Sequence, residues 1–301
     1  MSEAEVEGRV VAGLGVAVLA ISTAAAVIKL AQPLPPVVVA CLRVSVTALG
    51  MALLGGKGTA RAVRALLGSP REAWLTVLAG LCVAAHFAAW IASLSLTSVV
   101  RSVALVSTQP LWAGLLARAL GDQAPARLYL GTLIAIAGTL LMVEPGQFGA
   151  GAQAWLGDGL ALSGAVTAAM YLALGRRVHA RLGDDLPLYG YLTCVNLVAA
   201  VALAGLALAL GSSFAPAGVG ASDYLATLYL GLIPGIIGHG LLNWAVRKIP
   251  VHTVSLAILL EPAGSALVAF VLLGEAVGVR EAVGAAVLLG GVAVGLPRRK
   301  L

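Results

Sequence analysis

Charge is scarce in this chain. Asp, Glu, Lys and Arg make up 11% of its 301 residues, hydrophobic residues make up 60%, and the mean hydropathy is +1.00. A water-soluble domain is about half apolar and a quarter charged, so a soluble globule is excluded. Aromatics are few, at 5%. The net charge of +6 therefore marks no nucleic-acid surface, because no basic patch is interleaved with stacking residues. The three cysteines, Cys41, Cys82 and Cys194, each sit inside an apolar run, with neither metal-ligand spacing nor a disulfide framework. No phosphate-binding loop occurs, so the chain carries no ATP drive and implies no ATPase subunit. Titratable residues inside the apolar runs are few and scattered, which argues against a membrane enzyme. No motif calls for a cofactor or a metal. A channel is disfavoured because no filter-like loop is present.

What remains is an all-α integral membrane protein. In lipid every backbone polar group must be satisfied within the segment, and runs of about twenty apolar residues without alternation read as helices. The reading predicts ten spans: 10–30, 37–54, 73–94, 99–119, 128–143, 157–174, 188–210, 224–246, 253–273 and 281–296. A loop carries Lys57, Arg61, Arg64 and Arg71, a turn carries Pro33, Pro35 and Pro36, and Lys29 is placed to snorkel to the interface.

The two halves, 1–147 and 148–301, repeat one another. Gln109-Pro110 is answered by Glu261-Pro262 at an offset of 152. Gly121, Gly131 and Gly138 are answered by Gly274, Gly284 and Gly291 at 153, His86 by His239 at 153, and Trp90 by Trp244 at 154. Only four His and five Trp occur in the chain, so those pairs carry weight. Five spans per half reverse the second half in the membrane. Such inverted repeats characterise secondary transporters, whose site lies between the halves.

Positive charge fits this count with both termini in the cytoplasm. The cytoplasmic segments then hold Arg9; Lys57, Arg61, Arg64 and Arg71; Arg118 and Arg127; Arg176, Arg177 and Arg181; Arg247 and Lys248; and Arg298, Arg299 and Lys300. These are 15 of the 19 Lys and Arg residues. The acidic start, with Glu3, Glu5 and Glu7, lacks the positive region of a secretory signal.

The motifs resemble those of the drug/metabolite transporter superfamily, EamA family. They are Arg43 after the proline turn, Gly157-Asp158, Tyr171 with Arg176-Arg177, Tyr229-Leu230-Gly231-Leu232-Ile233-Pro234, Trp244-Ala245, Glu261-Pro262, Leu273-Gly274-Glu275 and Gly284. Nearly the whole chain is covered. The resemblance implies export of amino acids or related metabolites across a bacterial inner membrane, with the YddG-type exporters of aromatic and neutral amino acids as the nearest description. It also implies a cavity lined by the first, third, fourth, sixth, eighth and ninth spans, with Tyr171 in it. Two departures stand out. Leu120-Gly121-Asp122-Gln123 replaces a Gly-Glu pair. The first span lacks the usual aromatic near Ser22, which is expected to widen the cavity or change what it accepts. A proton-coupled multidrug exporter of the same superfamily is the competing reading, and it wants a carboxylate in the first span, where none occurs.

A polar group at mid-membrane is costly unless satisfied, so each such group is a candidate for substrate contact. His86 and His239 are the sharpest, set against simple bonding to a backbone carbonyl. Trp90, Trp112 and Trp244 are candidate walls, set against packing or lipid contact. Gln109, Asn243 and Glu261 complete the polar supply, and Glu261 also reads as a structural partner of the break at Pro262. Asn196 could orient a substrate or hold helices together. Pro110, Pro234, Gly235 and Pro262 are candidate hinges, with a static kink as the alternative for Pro234. Gly291 to Gly295 is a small-residue face for helix packing. The whole reads as a carrier competent as a monomer, with a small-molecule substrate and the lipid bilayer as its only partners.

Overall fold

The computed structural model describes residues 3–31, 33–97, 99–119, 125–142, 152–273 and 278–296. Predicted features at Leu120-Gly121-Asp122-Gln123, Glu144-Pro145, Gly274-Glu275 and Arg298-Arg299-Lys300 lie outside them, as does the Lys29 side chain. Among the described residues every regular element is helical.

The first half contains α1 (Glu3–Ser22), α2 (Ala24–Leu30), α3 (Pro36–Gly55), α4 (Lys57–Leu67), α5 (Pro70–Leu96), α6 (Val99–Val106), α7 (Gln109–Ala119) and α8 (Ala126–Met142). The second contains α9 (Ala152–Leu182), α10 (Leu188–Ala209), α11 (Ala221–Leu230), a π-helical stretch (Gly231–His239), α12 (Gly240–Val246), α13 (Val251–Ile258), α14 (Glu261–Leu273) and α15 (Val279–Gly295). Among the described residues seven stretches are long and apolar enough to cross a membrane: Gly8–Ile28, Pro36–Gly55, Pro70–Leu96, Gln153–Asp185, Leu188–Ala209, Ala221–Val246 and Val251–Val268. Ala126–Met142 and Ala282–Gly295 are shorter apolar helices. Outward-facing Leu53, Leu67, Val201, Leu208 and Leu225 give the helices an apolar exterior suited to lipid.

Local chemistry sets the helix ends. Pro36 and Pro70 open α3 and α5, where a missing N–H is no loss. Gly56, at φ 48°, turns the chain out of α3. The basic stretch after it, predicted as a loop, is the helix α4. It forms because Ala62 and Leu66 are spaced to share one buried face while Lys57, Arg61 and Arg64 stay in water. Gly190 of α10 admits α4, since a Cβ there would meet the Gly58 carbonyl and Ala62. Arg61 donates to the Asp184 carbonyl at 2.9 Å and pairs with Asp185 at 3.1 Å. That pair is exposed and contributes little.

The predicted first span divides at Thr23 into α1 and α2, and the fourth and ninth are interrupted beside a proline. Between α6 and α7, and between α13 and α14, the helix ladder lapses into i→i−3 bonds: Thr108 N to Leu105 O (3.1 Å) and Leu260 N to Ala257 O (3.1 Å). Pro110 and Pro262 are then the second residues of α7 and α14. They start new helices rather than kink old ones, because a first-turn proline forfeits no bond. Pro234, by contrast, sits inside the π-helical stretch, where the widened turn accommodates it.

Two apolar cores result. The larger joins α1, α3, α5, α9, α10, α12 and α13. The smaller comprises Leu128, Ala135, Met142, Leu256, Leu259, Leu288 and Val292 and lies around the α8–α15 contact. Gly131 of α8 abuts the backbone of Gly291 and Gly295, and Gly138 abuts that of Gly284 and Leu288. The two helices therefore touch main chain to main chain. In lipid, where burying apolar area gives no extra drive, such close van der Waals contact is what holds helices together.

Candidate functional site

α5 packs on α9, α3 on α10, and α1 on the π-helical stretch. Between these pairs lie two adjoining cavities. The first is lined by Ile21 and Ala24 (α1, α2), Arg43 (α3), His86 and Trp90 (α5), Val106 and Gln109 (α6, α7), Ala168, Tyr171 and Leu172 (α9), His239, Leu242 (α12), Ile258 (α13) and Glu261 (α14). The second is lined by Arg43, Thr47, Met51, Val83, His86, Phe87, Tyr171, Leu192, Val195, Asn196, Gly235, His239 and Asn243. Arg43, His86, Tyr171 and His239 belong to both and form the partition between them. About 40 Å³ of the first and 20 Å³ of the second is open to the centre of a water molecule. That is room for a few waters.

The partition is built from aromatic and cationic stacking. The Arg43 guanidinium lies 4.1 Å from the Phe87 ring centroid and 5.9 Å from that of Trp90. Trp90 stacks on His86 at 6.0 Å and 11°, the consequence of their i, i+4 spacing on α5. Phe87 meets His239 edge-on at 5.4 Å. His86 Nδ1 lies 2.9 Å from the Gly164 carbonyl of α9. A carbonyl only accepts, so Nδ1 carries the proton and, in the neutral ring, Nε2 is left as an acceptor. Asn243 Nδ2 donates to the Tyr171 hydroxyl and to the His239 carbonyl (2.8 Å), tying α12 to α9. Gln109 Nε2 donates to Ser255 Oγ at 3.4 Å.

The predicted contact residues thus divide. His86, Trp90, Gln109, Tyr171, His239 and Glu261 line the first cavity; Asn243, Asn196 and the hinge candidate Gly235 line the second. Trp112 and Trp244 line neither. Trp112 donates through Nε1 to Thr108 Oγ1 at 3.1 Å, and the Trp244 ring packs against Gly13 of α1. Gly235 lies so close to Thr47 that a Cβ would collide with its hydroxyl. Pro110, Pro234 and Pro262 are buried outside both linings.

Ser22 faces α14 rather than either cavity, while its neighbours Ile21 and Ala24 line the first. Its Oγ donates to the Val18 carbonyl (2.7 Å) and lies 3.3 Å from the Glu261 carbonyl, while Ser265 Oγ donates to the Ser22 carbonyl at 2.8 Å. Even a methyl group at Gly264 would collide with Ser22, so this contact has no room for a ring.

Arg43 is the residue that the sequence reading left out of the site. It is 1% exposed, and its Nε and Nη1 have no hydrogen-bond partner. A cation at the centre of a spanning helix costs about 2.5–3.5 kcal/mol on insertion scales. The signal was present: Arg43 interrupts an otherwise apolar predicted span. Glu261, 6% exposed, lines the same cavity, yet among the described residues no ion pair within 4.0 Å joins the two. No group of three or more His, Cys, Asp or Glu among the described residues is arranged for a metal.

Both flanks of the cavity are fastened. On one side Arg101 (α6) pairs with Asp158 (α9), both nearly buried, with Thr97 Oγ1 3.5 Å from the same carboxylate. On the other, Arg176 Nη1 donates to the Val246 and Ile249 carbonyls at 2.9 and 2.6 Å and closes the end of α12. Along α9, at 1.5 Å per residue, these fastenings lie about 15 Å before Ala168 and about 8 Å after Tyr171.

Residues 155–296 match the model of the EamA-like transporter family. The match spans 142 of the 301 residues and supports a membrane transporter of the drug/metabolite transporter superfamily, EamA family. A solved crystal structure, 24% identical, superposes with a TM-score of 0.75 over 95% of this chain and 96% of that one. At that identity the likeness is one of fold. No curated protein matches the sequence.

Proposed function

We propose that this chain is a secondary transporter that exports amino acids, aromatic or neutral, or closely related metabolites across a bacterial inner membrane, with both termini cytoplasmic. It works by alternating access, as ten spans in two inverted five-helix halves, 1–147 and 148–301, and it is competent as a monomer. Its cavity residues bind substrate rather than transform it. The observation that carries the reading is the small central cavity, mostly apolar but bearing one cation, one acid and a few neutral polar groups. An amino acid needs a partner for each end and an apolar remainder, and this lining supplies all three kinds.

Three features support the inverted plan. The helix breaks before Gln109 and Glu261 recur at an offset of 152. His86 and His239, 153 apart, meet at the same partition. The seam contacts cross over, Gly131 with Gly291 and Gly138 with Gly284, as a two-fold exchange of halves requires. Pro234 and Gly235, in the widened stretch beside the second cavity, are the hinge of this carrier, with Pro110 and Pro262 at the two breaks.

Counterflow in proteoliposomes tests the function. Vesicles loaded with single unlabelled amino acids should accelerate entry of a labelled one for several neutral or aromatic species. Failure with every amino acid would withdraw the substrate class and leave the family standing. A pH gradient imposed in the same assay separates the second reading, a proton-coupled exporter of cationic compounds working through Glu261. Arg43 in the same cavity weighs against that reading, since it repels a cation.

A further inference from the structure

Arg43 is the most buried charged side chain among the described residues, and its surroundings hold it without satisfying it. Phe87 and Trp90 present ring faces, which stabilise a cation but accept no conventional N–H bond. Nε and Nη1 are left without partners. A buried donor normally finds one, and an unpaired ion inside lipid is costly. A partner that comes and goes resolves this.

The guanidinium is a planar fork that matches a carboxylate in two parallel bonds. Its surroundings define the rest of such a ligand. Glu261 and Gln109 line the first cavity and suit an ammonium; Met51, Val83, Leu192 and Val195 line the second and suit an apolar side chain. Arg43 stands at the junction. We propose that Arg43 receives the carboxylate of the transported substrate, with the amine turned toward Glu261 and the side chain into the second cavity. This inference rests on the transport reading and narrows it to ligands with a carboxylate.

The test compares three labelled probes of one carbon skeleton in counterflow: leucine, 4-methylpentanoate, which lacks the amine, and isopentylamine, which lacks the carboxylate. The wild-type chain should move leucine and leave isopentylamine outside. Arg43→Gln should lower leucine counterflow roughly tenfold or more, the scale of losing a charge-assisted pair. Arg43→Lys, which keeps the charge but not the fork, should retain the demand for a carboxylate with weaker apparent affinity. This second variant and the wild-type discrimination keep the test decisive if Arg43→Gln does not fold. If 4-methylpentanoate moves in an Arg43-dependent way while leucine does not, the amino-acid reading falls and the carboxylate receptor stands. Movement of isopentylamine as fast as leucine, wild-type leucine rates in folded Arg43→Gln, or movement of none of the three overturns the inference.

Discussion

The seam between α8 and α15 and the partition around Arg43 are opposite solutions to packing helices in lipid. At the seam glycines remove the side chains, and main chains touch. At the partition Arg, His, Trp and Tyr hold the helices apart, and small cavities remain between them. Close contact without intervening side chains leaves no alternative arrangement, so the seam is a fixed spine. Large polar side chains with incomplete bonding, Arg43 above all, leave room for other pairings at the partition. The contrast separates what the fold needs from what transport needs.

The largest effect should come from filling the seam. Gly131→Leu or Gly291→Leu drives a side chain into a facing backbone, an overpacking cost of about 1–3 kcal/mol or more. Purified protein should lose its monodisperse peak in size exclusion or melt several degrees lower. The same change at Gly205, where a Cβ meets nothing within 4 Å, should do neither. Next in size is the fastening at α6 and α9. Asp158→Asn leaves Arg101 a neutral partner in place of a carboxylate, at a cost of about 1–2 kcal/mol in this conformation. The variant should open more readily on that side, read as faster labelling of a cysteine placed in the first cavity, and Arg101→Gln combined with it should be less than additive.

A smaller loss is expected at Asn243, which holds Tyr171 and the His239 carbonyl together. Asn243→Ala should raise the half-saturation concentration in counterflow by several-fold and lower the melting temperature by a few degrees, the scale of about 1 kcal/mol in lost bonding. The smallest belongs to Trp112. Although it stands with Trp90 among the candidate walls, it lies outside the cavities. Trp112→Phe gives up one bond to Thr108 and should leave counterflow within about twofold of wild type. A tenfold loss there would move the boundary of the site outward and blur the comparison.

Much of this contrast was legible in the sequence. The apolar runs announced the helices, because lipid leaves no other way to satisfy a backbone. The i, i+4 spacing announced the stack of His86 and Trp90. The spacing of Gly291 and Gly295 announced a packing face. What stayed hidden depended on distance across the fold. Whether Trp244 meets a cavity or Gly13 depends on how α12 lies on α1, which no local pattern encodes. Ser22 looked like a gap in the wall because its contact, Gly264, is 242 residues away. Arg43 was visible as a charge in an apolar run, yet its missing partners could be recognised only once its neighbours were in place. The amphipathic helix α4 was mistaken for a loop because its charges outweighed the spacing of Ala62 and Leu66.

The interruptions at residues 107–108 and 259–260 bear on how fast such a molecule can work. Bending an intact helix breaks its i→i−4 bonds, and inside a bilayer no water replaces them. Here the ladder has already been shortened to i→i−3 at the two places beside the cavity. Flexing there forfeits little bonding enthalpy, so the barrier falls to side-chain rearrangement and lipid displacement. The temperature dependence of transport should then be shallow.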